Sequence, residues 1–159
     1  MKILVVSDTH RDFRALLRAV EQNPGADLLI HLGDGEHDIE DLSHVYPDLP
    51  IVYVGGNCDY GFHETTHVVR TKCGVKIFCC HGHTLAVKMG LNLLTATARD
   101  EGCDIALYGH THVSFCDIVN GIYVMNPGSA ALPRGNSKAS CGIIEIDKNS
   151  SVNMSIHEL

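Results

Sequence analysis

Apolar positions along this chain follow two rhythms: short unbroken runs, and spacings that match one face of a helix. Residues 2–7 and 28–32 are continuous apolar runs, the pattern of strands covered on both faces. Between them Phe13, Leu16, Leu17 and Val20 recur at i, i+3, i+4 and i+7, and Asn23-Pro24-Gly25 ends the helix they predict. A shorter helix is expected near 38–45, and a third strand at Ile51–Val54. Alternation of this kind predicts parallel strands joined by right-handed crossovers.

The rhythm then changes. Segments 65–72 and 75–80 predict a hairpin turning at Cys73-Gly74, and a helix over about 90–101 ends at Gly102. Ile105–Tyr108 is another short strand. Segments 113–119 and 122–125 flank Asn120-Gly121, a pair suited to the positive φ of a two-residue hairpin turn. A last pair, about 141–147 and 152–157, turns through Asp147–Ser151. Parallel units followed by hairpins predict a layered α/β sandwich, two packed sheets with helices outside. No linker divides the chain, so one domain is expected over 1–159.

The polar residues that interrupt this pattern fall at one kind of place. Asp8-Thr9-His10, Gly33-Asp34, Gly56-Asn57, His81-Gly82-His83 and Gly109-His110-Thr111-His112 each directly follow an apolar run. In open sheets, sites gather at the carboxyl ends of parallel strands. In an extended segment Asp8 and His10 point to one side and can reach one cation; the alternative is an Asx turn with Asp8 capping the next helix. Gly33 permits a sharp turn that projects Asp34 inward, and a carboxylate is able to bridge two cations about 3.5–4 Å apart; an ordinary strand-end turn is the other reading. Gly35 and Asp38 are read as turn and helix-capping residues. Asn57 offers a neutral carbonyl oxygen to a hard or borderline cation, or belongs to a glycine-rich loop chosen only for turning. Two H-x-H pairs at strand ends are harder to explain structurally, and neutral imidazole suits Mn, Fe, Co, Ni or Zn. The other histidines (31, 37, 44, 63, 67 and 157) lack this context and read as structural or solvent-facing.

Composition narrows the partners. The net charge is −7 with no Lys/Arg cluster, which argues against a nucleic-acid polymer as partner, since phosphate backbones are held by clustered cations. Bound divalent cations would still let an acidic protein attract an anion locally. Seven cysteines (58, 73, 79, 80, 103, 116 and 141) form an odd set with no CxxC pair, so reduced thiols in a cytoplasmic protein are expected, Cys79 and Cys80 being small core residues. The apolar runs are too short to span a bilayer, and only Lys2 precedes the first, which reads as a strand rather than a signal peptide.

In this order the five clusters, D-x-H, G-D, G-N, H-G-H and G-H-x-H, resemble the calcineurin-like metallophosphoesterase superfamily. Together with Gly56-Asn57-Cys58-Asp59 and Asn126-Pro127-Gly128-Ser129, the length looks closest to its small bacterial and archaeal phosphodiesterases. The resemblance implies a four-layer α/β/β/α sandwich with two mixed β-sheets. It implies one cation held by Asp8, His10, Asp34 and His112, and a second held by Asp34, Asn57, His81 and His110, with Asp34 shared. Manganese is the expected metal, with iron, zinc, nickel and cobalt as alternatives.

The implied reaction is attack on phosphorus by a hydroxide bridging the two cations, in line with the leaving oxygen. Many relatives carry histidine after the Asn, where it is thought to assist the leaving group; here Cys58 stands there, and water, Asp59 or His83 are the substitutes. Arg11 stands where glycine is common, placed either to contact a phosphate or as a solvated first-turn residue. An open site favours a small phosphodiester substrate, with a phosphomonoesterase as the alternative. The rival from another class is a metal-binding scaffold without catalysis, and an exposed hairpin edge admits a homo-oligomer. A closed structural zinc site fits poorly, because such sites are usually Cys/His tetrahedra.

Overall fold

The computed structural model, described for residues 1–61 and 63–159, places two five-stranded sheets face to face. The first contains β1 (Lys2–Val6), β2 (Leu28–His31), β3 (Ile51–Tyr53), β9 (Ser140–Ile146) and β10 (Val152–Glu158) in the order β10-β9-β1-β2-β3. The second contains β4 (Thr66–Arg70), β5 (Lys76–Cys80), β6 (Ile105–Leu107), β7 (Phe115–Val119) and β8 (Ile122–Asn126) in the order β4-β5-β6-β8-β7. Each has three parallel strands, β1-β2-β3 and β5-β6-β8, and takes antiparallel strands at its margins. Both sheets are therefore mixed.

Three apolar layers account for the unbroken runs. Ile3 and Val5 of β1 face inward with Leu28 and Ile30, against Ile77, Cys79, Ile105, Leu107 and Met125 of the other sheet. The alternate residues Leu4, Val6 and Leu29 face outward onto Leu16, Ala19 and Val20 of α1 (Phe13–Gln22) and Leu42 of α2 (Glu36–Val45). On the far side Phe78, Cys80 and Ala106 meet Leu94 and Ala98 of α3 (Asn92–Asp100). A strand buried on both faces has no polar alternation to show, which is why these segments read as runs. Helix, sheet, sheet and helix make the four-layer sandwich expected from the resemblance.

Differences from the expected elements are local. The helix expected over 90–101 is α3, and a separate 3-10 turn at Val87–Met89, not expected, precedes it and ends at Gly90. Asp8 does not cap α1; Asp12 does, accepting from the Ala15 N–H at 3.1 Å. Asp38 does not cap α2, whose N-cap is Gly35. It is buried and accepts instead from the Thr9 hydroxyl (2.5 Å) and the Arg11 N–H (3.0 Å). A residue in the first helical turn points back over the preceding loop, and the β1–α1 loop offered donors there. All seven cysteines are free, with Cys79 and Cys80 buried. Among the described residues no helix is long and apolar enough to cross a membrane.

Candidate metal centre

Strand register brings the polar clusters together. Val6, His31 and Tyr53 are paired across β1, β2 and β3, so the loops carrying Asp8, Asp34 and Asn57 leave side by side. In the other sheet Cys79 is paired with Leu107, which aligns the exits that carry His81 and His110. The two sets of loops meet where the sheets face each other.

The donor atoms converge closely. Asp34 Oδ2 lies 3.7 Å from His10 Nε2 and 3.5 Å from His81 Nε2, a carboxylate between two imidazoles. Asp8 Oδ1 is 3.2 Å from His112 Nε2 and 3.9 Å from His10 Nε2. Asn57 Oδ1 is 3.2 Å from His81 Nε2, and the His110 ring centroid lies 5.0 Å from that of His81. Asp8, His10 and His112 form one group with ligand atoms within 4.8 Å of one another, and Asp8, Asp34 and His81 form another. All seven expected ligands thus lie in one cluster.

The backbone is held in unusual conformations to achieve this. Asp8 (φ 56°), His10 (48°), Arg11 (69°), Asp34 (57°), His110 (65°) and His112 (60°) are left-handed, six of the nine described non-glycine residues with positive φ. Such positions cost of order 1–3 kcal/mol each and persist only where surrounding contacts over-determine them. Those contacts are present. Asp59 accepts the N–H groups of Asp34 (2.8 Å), Gly35 (3.0 Å), Glu36 (3.1 Å) and Gly56 (2.6 Å), tying the loop after β2 to the loop after β3. Asp34 Oδ1 accepts from the Cys58 N–H at 2.8 Å, and Asp8 Oδ2 from the Ser7 hydroxyl (2.6 Å) and the His110 N–H (3.0 Å). Gly33, at φ +93°, and Gly56 are required by crowding. A Cβ on Gly33 would lie 2.7 Å from His81 Nδ1 and 2.8 Å from the Gly56 nitrogen, and one on Gly56 would overlap Asp34.

Second contacts orient the imidazoles. His81 Nδ1 donates to the Leu32 carbonyl at 2.6 Å and His112 Nδ1 to the Leu132 carbonyl at 2.6 Å. Each neutral ring then carries its proton on Nδ1 and turns the Nε2 lone pair inward, as metal-ligating histidines do. His112 Nε2 consequently faces Asp8 Oδ1 acceptor to acceptor, and that buried oxygen has no hydrogen-bond partner. Acceptors turned toward one another fit a cation.

Ionisation behaviour agrees. Burial acts to raise the Asp8 pKa, yet the adjacent His112 and His81 imidazoles and the Ser7 hydroxyl outweigh it and leave it lowered. His112 is raised, chiefly by the adjacent Asp8 carboxylate, against the opposing effect of burial. The pair has a place for one positive charge, for which a proton and a divalent cation compete. Burial, together with the charges of His81 and Lys88, pushes His110 down to about 4 and so keeps it neutral, the form that binds metal.

Residues named for leaving-group assistance fare differently. Burial, followed by the carboxylates of Asp34, Asp59 and Asp8, pushes the Cys58 thiol up to about 11, far from the neutral range that suits a proton donor. Burial acts to raise Asp59, but the Tyr53 hydroxyl and its backbone donors hold it below the usual value, so it is an ionised loop anchor rather than an acid. His83 lies beside the cluster, its ring centroid 6.2 Å from that of His110, with a pKa lowered by burial and by His81. Arg11 is exposed and lines the pocket next to His10 and Asp34.

Several supporting residues brace the ligand loops, two of them, Asn126 and Ser129, from the segment that the resemblance singled out without a role. Ser129 Oγ donates to the Asp8 carbonyl (2.7 Å) and accepts from the Leu132 N–H (2.7 Å), linking the Asp8 loop to the segment that orients His112. Asn126 donates to the Gly109 carbonyl (2.9 Å) and the Thr111 hydroxyl (3.0 Å), bracing the 109–112 loop. Thr9 joins Asp38 to the fully buried His31.

Known proteins are similar to this chain in sequence or in fold. A "probable metallophosphoesterase YsnB" of Bacillus subtilis is 30% identical over 151 residues, 94% of this chain and 86% of that protein. The "phosphodiesterase YfcE" of Escherichia coli K12 is 27% identical, covering 92% of this chain and 89% of its own. A crystal structure of a predicted phosphoesterase from Streptococcus pneumoniae superposes with a TM-score of 0.84 at 28% identity, covering 99% of this chain and 91% of that one. Residues 1–149 match the calcineurin-like phosphoesterase superfamily domain, and the chain belongs to that superfamily.

Proposed function

We propose that this chain is a phosphodiesterase that works with two divalent cations. The observation that carries the proposal is Asp34, whose Oδ2 stands between His10 Nε2 and His81 Nε2 at 3.7 and 3.5 Å. One cation would be held by Asp8, His10, Asp34 and His112, and the other by Asp34, Asn57, His81 and His110. Bound there, the cations supply Lewis acidity toward phosphoryl oxygens and a water acidified toward neutrality. The chain itself supplies a preorganised cage. The Leu32 and Leu132 carbonyls hold two rings in the ligating tautomer, and Asp59 keeps the Asp34 and Asn57 loops in register. Arg11, exposed beside the cluster, provides a guanidinium able to pair with phosphoryl oxygen as the anion docks.

No side chain is placed as a nucleophile, and Cys58, held as a thiol, is not cast as one. Oxygen and imidazole donors together suit manganese, with iron, zinc, nickel or cobalt as alternatives. A complete ligand set speaks for catalysis over a scaffold, and the match to a phosphodiesterase supports the diester preference. Seven free thiols suit a reducing cytoplasm. The test is turnover of bis(p-nitrophenyl) phosphate against p-nitrophenyl phosphate after loading with each metal. Diester turnover should dominate with manganese. Faster monoester turnover overturns the substrate preference, and hydrolysis of neither ester with any metal overturns the enzyme reading.

A further inference from the structure

Next to the metal cluster lies a pocket of about 170 Å³, lined by His10 and Asp34 of the cluster and, beyond it, by Arg11, His37, Cys58 and Tyr60. Tyr60 is unusual. Its side chain is large and apolar, yet the residue is 86% exposed. The backbone beneath it is tied down: the Tyr60 and Gly61 N–H groups donate to Glu36 Oε2 at 3.1 and 3.3 Å, and Glu36 Oε1 meets His63 Nε2 at 2.8 Å. With the backbone held, only the two χ angles of the tyrosine remain to be ordered when the ring meets a partner face. The guanidinium carbon of Arg11 lies 6.0 Å from the Tyr60 ring centroid, which puts a cation and an aromatic face in one cavity.

The charges around this cavity sort themselves. Glu36 and Asp59 also line it, but the first is engaged by His63 and two backbone N–H groups and the second by four. Those donors occupy most of their acceptor sites and partly offset their negative charge. Arg11 is left as the group suited to an incoming anion, beside the atoms that would hold the phosphoryl group.

We propose that Arg11 and Tyr60 form a specificity clamp for one ester arm of the substrate. Arg11 pairs with a non-bridging phosphoryl oxygen, and Tyr60 stacks on a flat, π-bearing group carried by that arm. The clamp rests on the phosphoester reading above and defines its substrate class: phosphodiesters with a planar aromatic arm, whether aryl or nucleobase, in preference to those with two alkyl arms. Stacking of this kind tolerates any base, because each presents a π face.

The experiment titrates manganese-loaded protein with phenylphosphonate and with methylphosphonate, following heat. Wild type should bind the phenyl compound about tenfold more tightly. Tyr60→Ala should bring the two affinities within about twofold of each other, Tyr60→Phe should restore the preference, and Arg11→Ala should weaken both ligands. Because Tyr60 is exposed, its substitution does not threaten folding. An undiminished phenyl preference in Tyr60→Ala overturns the clamp and leaves the phosphoester reading standing, since both ligands still bind. Failure of wild type to bind either phosphonate overturns both.

Discussion

The two sheets contribute different chemistry to one site. From the sheet of β1, β2 and β3 come the oxygen donors Asp8, Asp34 and Asn57, with His10 as its one imidazole. From the sheet of β5 and β6 come His81, His110 and His112. The oxygen side is held by backbone donors: N–H groups satisfy Asp59 and one oxygen each of Asp34 and Asp8. On the nitrogen side carbonyls do the work, turning the rings by accepting from Nδ1. One such carbonyl, Leu32, belongs to the oxygen sheet, so the two halves position each other. Both halves use left-handed backbone positions, at Asp8, His10 and Asp34 on one side and His110 and His112 on the other, and His81 and His112 add an anchor at the far ring nitrogen.

Removing Asp34, the carboxylate proposed to be shared by the two cations, tests this division most severely. Asp34→Asn should lower phosphodiester turnover by more than the roughly 10–100-fold that losing an outer partner of a metal ligand costs. Metal content measured alongside should fall as well. Near-normal turnover with a full metal complement would sink the assignment of Asp34 as bridge.

Behind the oxygen side, His31 makes a prediction about acid. It is fully buried with Nδ1 unpartnered, and burial pushes its pKa down to about 4 from an ordinary 6.5. As pH falls below about 6.5 the unfolded chain takes up a proton that the folded chain refuses until about pH 4, so stability declines through that window, by up to about 3 kcal/mol. Urea unfolding at pH 7.0 and 4.5 should show His31→Gln losing clearly less stability than wild type across this interval. Equal losses would mean that other groups carry the acid sensitivity.

Ser129→Ala addresses the joint between the halves. Without its hydroxyl the Asp8 carbonyl and the Leu132 N–H lose a common partner, and the carbonyl that orients His112 is released. Metal affinity should fall about 10–100-fold, with stability lowered by about 1–2 kcal/mol. An unchanged affinity in a destabilised variant would make the serine a fold residue only.

The smallest effect expected is from Cys58→His. A thiol pushed up to about 11 is a poor acid at neutral pH, whereas an imidazole near its ordinary 6.5 is a good one. The substitution should raise turnover a few-fold, selectively for alkoxide-like leaving groups over p-nitrophenolate. A uniform change across leaving groups would remove protonation from the account.

The elements were legible to different depths. The runs around Ile3–Val6 and Leu28–Ile30 could be read as strands because both faces are covered, and Leu16 and Val20 marked a helix face by spacing alone. The helix over about 90–101 was legible to within two residues of α3, whereas the 3-10 turn at Val87–Met89 is too short to show a periodicity. Asp38 carried the local signature of a cap, yet its partners are Thr9 and Arg11, 29 and 27 residues away. Tyr60 was invisible as a site residue, because nothing local distinguishes an exposed tyrosine over a pocket from one facing bulk water.

By itself the sequence pointed to the layered fold class, the apolar faces and seven candidate donor side chains, since periodicity and strand-end position are local properties. Only the tertiary structure decided which donors meet, which imidazole nitrogen points inward, and that Asp59 ends as an anchor and Cys58 as a high-pKa thiol. Those outcomes depend on contacts between residues far apart in the chain, on burial, and on summed charge, none of which local sequence encodes.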